Sequence, residues 1–213
     1  MQGAASTRSG SEVPLIRDPS RVAELGEVFT PTWLVRRILE LVPEPELERL
    51  DSKCLDPACG HGQFLVEVLR AKLALATGSA SDGEEYRFAA LTGLASAYGV
   101  DIDGRNVREA RQRLAGLLLD AHRDALGEAP PDAYGRAADF VLERNLVRAD
   151  FLHDDFPVTE FLPSGSPGCF ELTTTMFSSQ LPVGDPRRLP LLAEAPVTEG
   201  PLHWRQFGRE TGG

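Results

Sequence analysis

A glycine-containing turn between a short apolar strand and a helix constrains this chain more than any other feature. Residues 55–65 read Leu-Asp-Pro-Ala-Cys-Gly-His-Gly-Gln-Phe-Leu, with Gly60 and Gly62 in the turn and Asp56 at the strand end. Glycine adopts left-handed backbone conformations and lets a ligand approach the main chain closely. The segment therefore predicts a site for a nucleoside-containing ligand at the end of the first strand of an α/β fold.

Strand-like and helical segments alternate three times along the first 150 residues. This alternation is typical of a parallel sheet with crossover helices. Thr30 is suited to cap the first helix and Pro31 to be its first residue. The predicted strands are residues 53–56, 98–103 and 145–150, and the predicted helices are residues 31–42, 64–78, 86–97, a long helix ending near residue 126, and a short helix over 136–143.

An aspartate falls at the end of each predicted strand, as Asp56, Asp101 and Asp150. Ligands of open parallel sheets bind beyond the carboxyl ends of the strands, so the three carboxylates are predicted to surround one site. Taken singly, each aspartate has a structural alternative, because aspartate also forms turns, solvates strand ends and caps loops.

The alternation fails beyond residue 155, where the chain becomes rich in proline. One strand is predicted there, over residues 169–177, and the segment after Pro182 is predicted to be irregular. We therefore expect a flexible arm over residues 1–20, a cofactor-binding domain over 21–156, and an irregular or partly disordered tail over 157–213.

Composition limits the classes of function. A formal charge of −10 argues against an extended phosphate-binding surface, because nucleic-acid affinity depends on Lys and Arg. The arginines between Arg105 and Arg113 are interpreted as a solvated helix face. Three cysteines without a CxxC pair predict neither a disulfide framework nor a metal site. The sequence shows no apolar run of membrane-spanning length, so a cytoplasmic protein is expected.

Four segments, in order, resemble the N-terminal half of adenine-specific (N6) DNA methyltransferases of restriction-modification and phage-defence systems. This resemblance implies a Rossmann-like methyltransferase fold with an incomplete parallel sheet and an N-terminal helical lid. It also implies S-adenosyl-L-methionine as cofactor and DNA as substrate. The segments are the lid sequence at residues 26–35, the glycine motif at 55–64, the ribose-binding motif at 100–103 and the adenine-binding motif at 148–152.

The resemblance assigns candidate cofactor contacts residue by residue. Asp56 would face the amino group of the cofactor, Asp101 the ribose hydroxyls and Asp150 the adenine amino group. Phe151 would pack on adenine, although a core role is open to it, and Thr30 would contact the carboxylate or only cap its helix. Cys59 and His61 are interpreted as packing and turn residues. The full candidate set is Thr30, Asp56, Ala58, Gly60, Gly62, Phe64, Asp101, Ile102, Asp150 and Phe151.

The catalytic motif of the family, Asn or Asp followed by two prolines and an aromatic residue, does not occur after Asp150. The catalytic residues are therefore unknown, and enzymatic activity is left open. One hypothesis is a methyltransferase subunit, or a truncated or split one, that uses a second polypeptide or a missing domain to complete the fold and to bind DNA. Another is a non-catalytic, cofactor-binding regulatory or assembly module. A third is a small-molecule methyltransferase, which the lid segment disfavours.

Overall fold

The computed structural model describes residues 30–43, 46, 49–178 and 196–209. Helices and strands alternate up to residue 148, and strands dominate after it. The helices are α1 (Thr32–Leu39), α2 (Gln63–Ser79), α3 (Gly83–Ala95), α4 (Gly104–Leu126) and α5 (Asp132–Asn145). The strands are β1 (Cys54–Asp56), β2 (Ala97–Asp101), β3 (Leu146–Arg148), β4 (Phe156–Pro163), β5 (Cys169–Phe177) and β6 (Val197–His203), and a 3-10 turn follows at Trp204–Gln206.

The first three strands form a parallel sheet with β2 in the centre. Leu55 lies opposite Tyr98, and Val100 lies opposite Val147. Helices α2 and α3 connect β1 to β2, and α4 and α5 connect β2 to β3. The predicted α/β fold with a small parallel sheet is confirmed, while its assignment as Rossmann-like remains a prediction.

Local sequence explains where the helices begin and end. The Asp82 side chain accepts hydrogen bonds from the Glu84 and Glu85 amides at the start of α3. Asp103 does the same for Arg105 at the start of α4, and Gly127 ends that helix in a left-handed conformation. Capping side chains satisfy the free amides at the start of a helix, and a left-handed glycine satisfies free carbonyls at its end.

One face of the parallel sheet packs closely against α2. A Cβ at Gly99 would lie 2.8 Å from side-chain carbons of both Leu65 and Leu146, and 3.0 Å from the Cys59 sulfur. The opposite face carries Leu55, which is 45% exposed, beside Tyr98 and the Val100–Val147 pair. A cavity of about 130 Å³ lies over this second face, and its far wall includes Phe151, Phe156 and Phe177.

The last three strands form an antiparallel sheet in the order β4-β5-β6. This sheet shares the main core with α3 and α5, because the rings of Phe88 and Phe170 lie 4.8 Å apart and those of Tyr134 and Trp204 lie 5.9 Å apart. The predicted strand over residues 169–177 is confirmed. The expectation of an irregular tail is wrong for the described residues after 156.

Proline placement explains the missed strands. Pro157 and Pro163 lie on β4, and Pro201 lies on β6, and both are outer strands of the described sheet. Proline cannot donate a ladder hydrogen bond, so it reads as a strand breaker, but it is tolerated on an outer strand. Likewise, α5 begins at Asp132, immediately after Pro131, where a loop was predicted.

A buried lysine fastens the segment before β1 to the helices. Lys72 of α2 is 3% exposed, and its amine donates hydrogen bonds to the Leu50 carbonyl (3.0 Å) and the Ser96 hydroxyl (2.6 Å). Burial lowers the pKa of Lys72 to about 8. These hydrogen bonds join the segment before β1 to the residue that follows α3.

Candidate cofactor site

The glycine turn follows β1 and is built on two left-handed residues. Gly60 has φ 53° and Gly62 has φ 80°. A Cβ at Gly60 would meet no atom within 4 Å, whereas one at Gly62 would lie 2.9 Å from the Cβ of Ala110 in α4. Gly60 therefore borders open space, and Gly62 permits close packing of the turn on α4.

Asp101 joins the end of β2 to this turn. One carboxylate oxygen accepts a hydrogen bond from the Gly60 amide at 2.9 Å. The other accepts from the Asp103 amide at 2.8 Å and from the Asn106 side chain at 3.3 Å. A carboxylate oxygen has two lone pairs, so the oxygen bonded to Gly60 retains acceptor capacity for a hydroxyl.

Asp56 is a half-buried carboxylate close to Asp101. Burial raises the pKa of Asp56, and the negative charge of Asp101 raises it further, while a hydrogen bond from the Ala58 amide opposes both effects. Two adjacent carboxylates at strand ends disfavour each other's charge and favour a cation between or beside them. The arrangement suits a ligand that carries a positive charge.

The structure places the third predicted acid in a local turn. Asp150 accepts a hydrogen bond from the Leu152 amide and contacts the His153 ring nitrogen at 2.9 Å. The His153 contact lowers the pKa of this half-buried carboxylate. The main chain after β3 is tied to β2, because the Ala149 amide donates to the Asp101 carbonyl at 3.1 Å. Contact of Asp150 with adenine remains a prediction.

Phe151 lies on the cavity side of the sheet. Its ring stacks on Phe177, with 4.9 Å between centroids, and it packs with Phe156. This is the core role left open for it by the sequence, and packing on adenine remains a prediction.

The remaining candidates lie around the turn and at the start of α1. Ile102, next to Asp101, is 50% exposed, and Ala58 is exposed as well, whereas Phe64 is half-buried. Thr30 is exposed, and the expectation that it caps α1 is wrong by one residue, because Pro31 occupies the cap position. Its contact with a cofactor remains a prediction.

A series of hydrogen bonds, which the sequence did not predict, connects α4 to the glycine turn and the turn to α1. Arg113 donates to the His61 carbonyl at 2.8 Å and to the Gln63 side-chain oxygen at 2.7 Å. The Gln63 amide nitrogen donates to the Thr32 hydroxyl at 3.0 Å. These contacts hold the first turn of α1 beside the glycine turn.

The interpretation of residues 105–113 as a solvated face is wrong for two arginines. Arg113 makes the hydrogen bonds to the glycine turn that are described above. Arg111 donates to the carbonyls of Glu143 and Leu146 at the end of α5. Spacing along α4 provided a partial signal, since Arg111 flanks the buried Ala110 and Arg113 the buried Leu114.

Cys59 is a buried residue of the glycine turn. Burial strongly raises the pKa of the Cys59 thiol, so the reactive thiolate form is disfavoured. Within the described ranges, no group of three or more His, Cys, Asp or Glu side chains could hold a metal ion. Nor does any helix described here have the length and apolar character needed to cross a membrane.

Comparison with known families gives one match. Residues 18–108 match the family model described as N-6 DNA Methylase. No curated protein and no solved structure matches the chain. The resemblance to adenine N6 DNA methyltransferases is thus confirmed for the N-terminal part of the chain, at residues 18–108. The match includes the glycine turn and Asp101 and ends before the adenine-binding motif at residues 148–152.

Proposed function

We propose that this chain binds S-adenosyl-L-methionine at the glycine turn and is the cofactor-binding half of an adenine N6 DNA methyltransferase. The observation that carries the proposal is the pairing of Asp56 and Asp101 at adjacent strand ends, beside the open space at Gly60. Two carboxylates fit the amino group and the ribose hydroxyls of this ligand. The family match over residues 18–108 supports the same ligand.

When bound, S-adenosyl-L-methionine supplies an electrophilic methyl group. The residues of this chain would hold its polar ends: Asp56 the ammonium group and Asp101 the ribose. Ile102, which is half-exposed next to Asp101, offers an apolar surface for the adenine ring. Burial of these polar contacts favours carboxylate acceptors, since an unsatisfied buried polar group costs about 1–3 kcal/mol.

Methyl transfer to an exocyclic amine requires acceptors that orient the amine towards the methyl carbon, and a platform for a base rotated out of the duplex. In the family a tetrapeptide, Asn or Asp followed by two prolines and an aromatic residue, supplies these acceptors and this platform. It does not occur in residues 151–213 of this sequence. In this proposal a second polypeptide or a further domain contributes it, and the complex methylates DNA in a restriction-modification or phage-defence system in the cytoplasm.

The parallel sheet provides a place for that polypeptide. Among the described residues β1 pairs only with β2, so its other edge can accept a parallel strand. Leu55 on β1 is 45% exposed beside the apolar cavity. A strand added at this edge would bring an apolar helix over Leu55, because a parallel connection crosses one face of the sheet.

Calorimetric titration of the full chain with S-adenosyl-L-methionine tests the cofactor proposal. Asp56→Asn should weaken binding at least about tenfold, since one charge-assisted contact contributes about 1.5–3 kcal/mol. Asp124→Asn, which removes an exposed aspartate on α4, is the matched control and should bind as the wild type does. Absence of binding by a folded wild-type chain would contradict the proposal.

The absent tetrapeptide also favours a second candidate, a non-catalytic module that keeps the cofactor site for regulation or assembly. The two candidates differ in the DNA methylation assay. Addition of a polypeptide bearing the Asn-Pro-Pro-aromatic motif should produce methyl transfer that Asp56→Asn reduces. A complex that binds cofactor and DNA but transfers no methyl group would favour the module.

A further inference from the structure

Three arginines from two elements line one open pocket beside the candidate cofactor site. Arg105 and Arg108 lie on the first turns of α4, and Arg148 ends β3. All three are exposed, and they share the pocket with Ile102, Asp103 and Gly104. In a chain of net charge −10, this is a local concentration of positive charge.

Glycine at position 104 keeps the space between two of these arginines open. A Cβ there would lie 3.1 Å from the Cδ of the exposed Arg148 side chain, 3.8 Å from its Nε and 3.7 Å from a terminal nitrogen of Arg108. Both guanidinium groups therefore border the volume that the missing side chain leaves. A planar guanidinium is suited to bidentate contact with a phosphate.

The charges in this pocket are only partly compensated. Arg105 pairs with Asp103 at 3.3 Å, and Arg148 donates to the Ile102 carbonyl at 3.3 Å. Arg108 has no ion pair with any residue that the structure describes. The Asp103 carboxylate caps the start of α4, and no further acidic residue follows in the first turn of that helix.

We propose that Arg108 and Arg148, with Arg105 at the rim, bind a backbone phosphate of DNA. S-adenosyl-L-methionine carries no phosphate, so the cofactor does not account for the three arginines of this pocket. The choice of DNA as the source rests on the proposed function, whose substrate is DNA. The pocket lies next to Asp101, because its lining residues Ile102, Asp103 and Gly104 follow that aspartate directly.

Fluorescence anisotropy of a labelled DNA duplex with the full chain, over a series of salt concentrations, tests this inference. Arg108→Ala and Arg148→Ala should each weaken binding about fivefold or more and reduce the slope of log affinity against log salt by about one. Arg123→Ala removes an arginine paired with Asp120 near the other end of α4, and it should bind as the wild type does.

Gly104→Asp provides a second, independent variant. An aspartate in the first turn of a helix is compatible with folding, and here it would place a carboxylate between Arg108 and Arg148. This variant should lose DNA affinity with all three arginines present. Circular dichroism of each variant checks that the fold is retained.

Three outcomes would overturn the inference. The first is that Arg108→Ala and Arg148→Ala bind DNA as tightly as Arg123→Ala. The second is that Gly104→Asp keeps wild-type affinity. The third is that the arginines matter for binding of inorganic phosphate but not for DNA, which would assign the pocket to a small anion. A chain that binds DNA through these arginines without binding S-adenosyl-L-methionine would support the inference and contradict only the proposed function.

Discussion

Gly99 shows how one residue without a side chain sets the distance between sheet and helix. It lies at the centre of β2, under Leu65 of α2, and the contacts leave no room for a methyl group. The same contact brings Cys59 of the glycine turn against the sheet. The position of the turn therefore depends on this residue.

Gly99→Ala should destabilise the protein by about 1–3 kcal/mol, because overpacking forces the neighbouring side chains or the backbone to shift. Urea unfolding followed by circular dichroism measures the change. Gly116→Ala on α4 is the control: a Cβ there meets nothing within 4 Å. This control should raise stability by up to about 1 kcal/mol through helix propensity. Equal effects of the two changes would contradict the packing argument.

Asp56→Asn should change stability in a pH-dependent way. The folded state raises the pKa of Asp56 above 3.8, so the folded state holds this proton more tightly than the unfolded state does. The contribution of Asp56 to stability is therefore greatest in acid and is lost as the pH rises through the folded pKa. The variant should gain stability relative to the wild type as the pH rises above about 4, until the pH has passed the folded pKa.

Urea unfolding of both proteins across this range measures the gain, with Asp124→Asn as the control that should show no such trend. A constant difference between Asp56→Asn and the wild type would refute the assignment. A stabilised variant that also loses cofactor affinity is the expected signature of a residue kept for binding rather than for folding.

At this scale the sequence predicted residue types better than their contacts. The turn at Gly60 and Gly62 and the acid at Asp101 were recognisable because each has a backbone or charge requirement that spacing reveals. The bonds from Arg113 to the turn were not, because they join residues about fifty positions apart. Separations of 32 and 35 positions hid the contacts of Arg111 with Glu143 and Leu146 in the same way.

At the scale of elements, the short helix α1 depends on its contacts with α2 to be stable. It has eight residues, and isolated helices of that length are marginal in water. Two contacts hold it to α2: the Gln63–Thr32 hydrogen bond and the ion pair between Arg36 and Glu67 at 3.0 Å. Because α1 begins within the predicted lid segment, residues 26–35, these contacts hold that part of the segment beside the glycine turn.

Thr32→Val should loosen α1 without unfolding the protein. Loss of one hydrogen bond costs about 1 kcal/mol, which corresponds to about fivefold faster amide exchange. Hydrogen exchange of residues 32–39 measures it. Thr92→Val is the matched control, because the Thr92 hydroxyl bonds only within α3, to the Phe88 carbonyl. Unchanged exchange in α1 would show that the Gln63 contact does not hold the helix.

The sequence predicted the elements of the parallel sheet and failed where proline was read as a breaker. Helices α2 and α4 have long apolar stripes, and the structure confirms their bounds closely. Strands β4 and β6 contain prolines and were missed, since only the arrangement of the sheet shows that they are outer strands. Helix α5 was shortened in the prediction because Pro130 and Pro131 precede it directly.

At the scale of the whole molecule, the antiparallel sheet is part of the main core. Trp204 and Phe207, beyond β6, are fully buried and pack with residues of α5. Sequence reasoning could not find this, because the contacts join the end of the described chain to a helix some seventy residues earlier. The two sheets are therefore expected to unfold in one transition.

Trp204→Ala should cost about 3–5 kcal/mol and lower the stability of both sheets together. Trp33→Ala is the matched control: Trp33 is 63% exposed, and its removal should change stability by no more than about 0.5 kcal/mol. Thermal unfolding followed by far-ultraviolet circular dichroism tests the prediction. Separate transitions for the two sheets in Trp204→Ala would show that residues 156–209 fold on their own.

No described strand pairs with the outer edge of β1, and in the proposed function this has a thermodynamic consequence. This strand leads into the glycine turn, so a polypeptide that pairs with it would also form a wall of the cofactor cleft. Binding of the polypeptide and of S-adenosyl-L-methionine would then be linked, each raising the affinity for the other by the same factor. At low concentrations of the cofactor and of the polypeptide, this chain and the polypeptide would stay separate. A high concentration of the cofactor would favour their assembly.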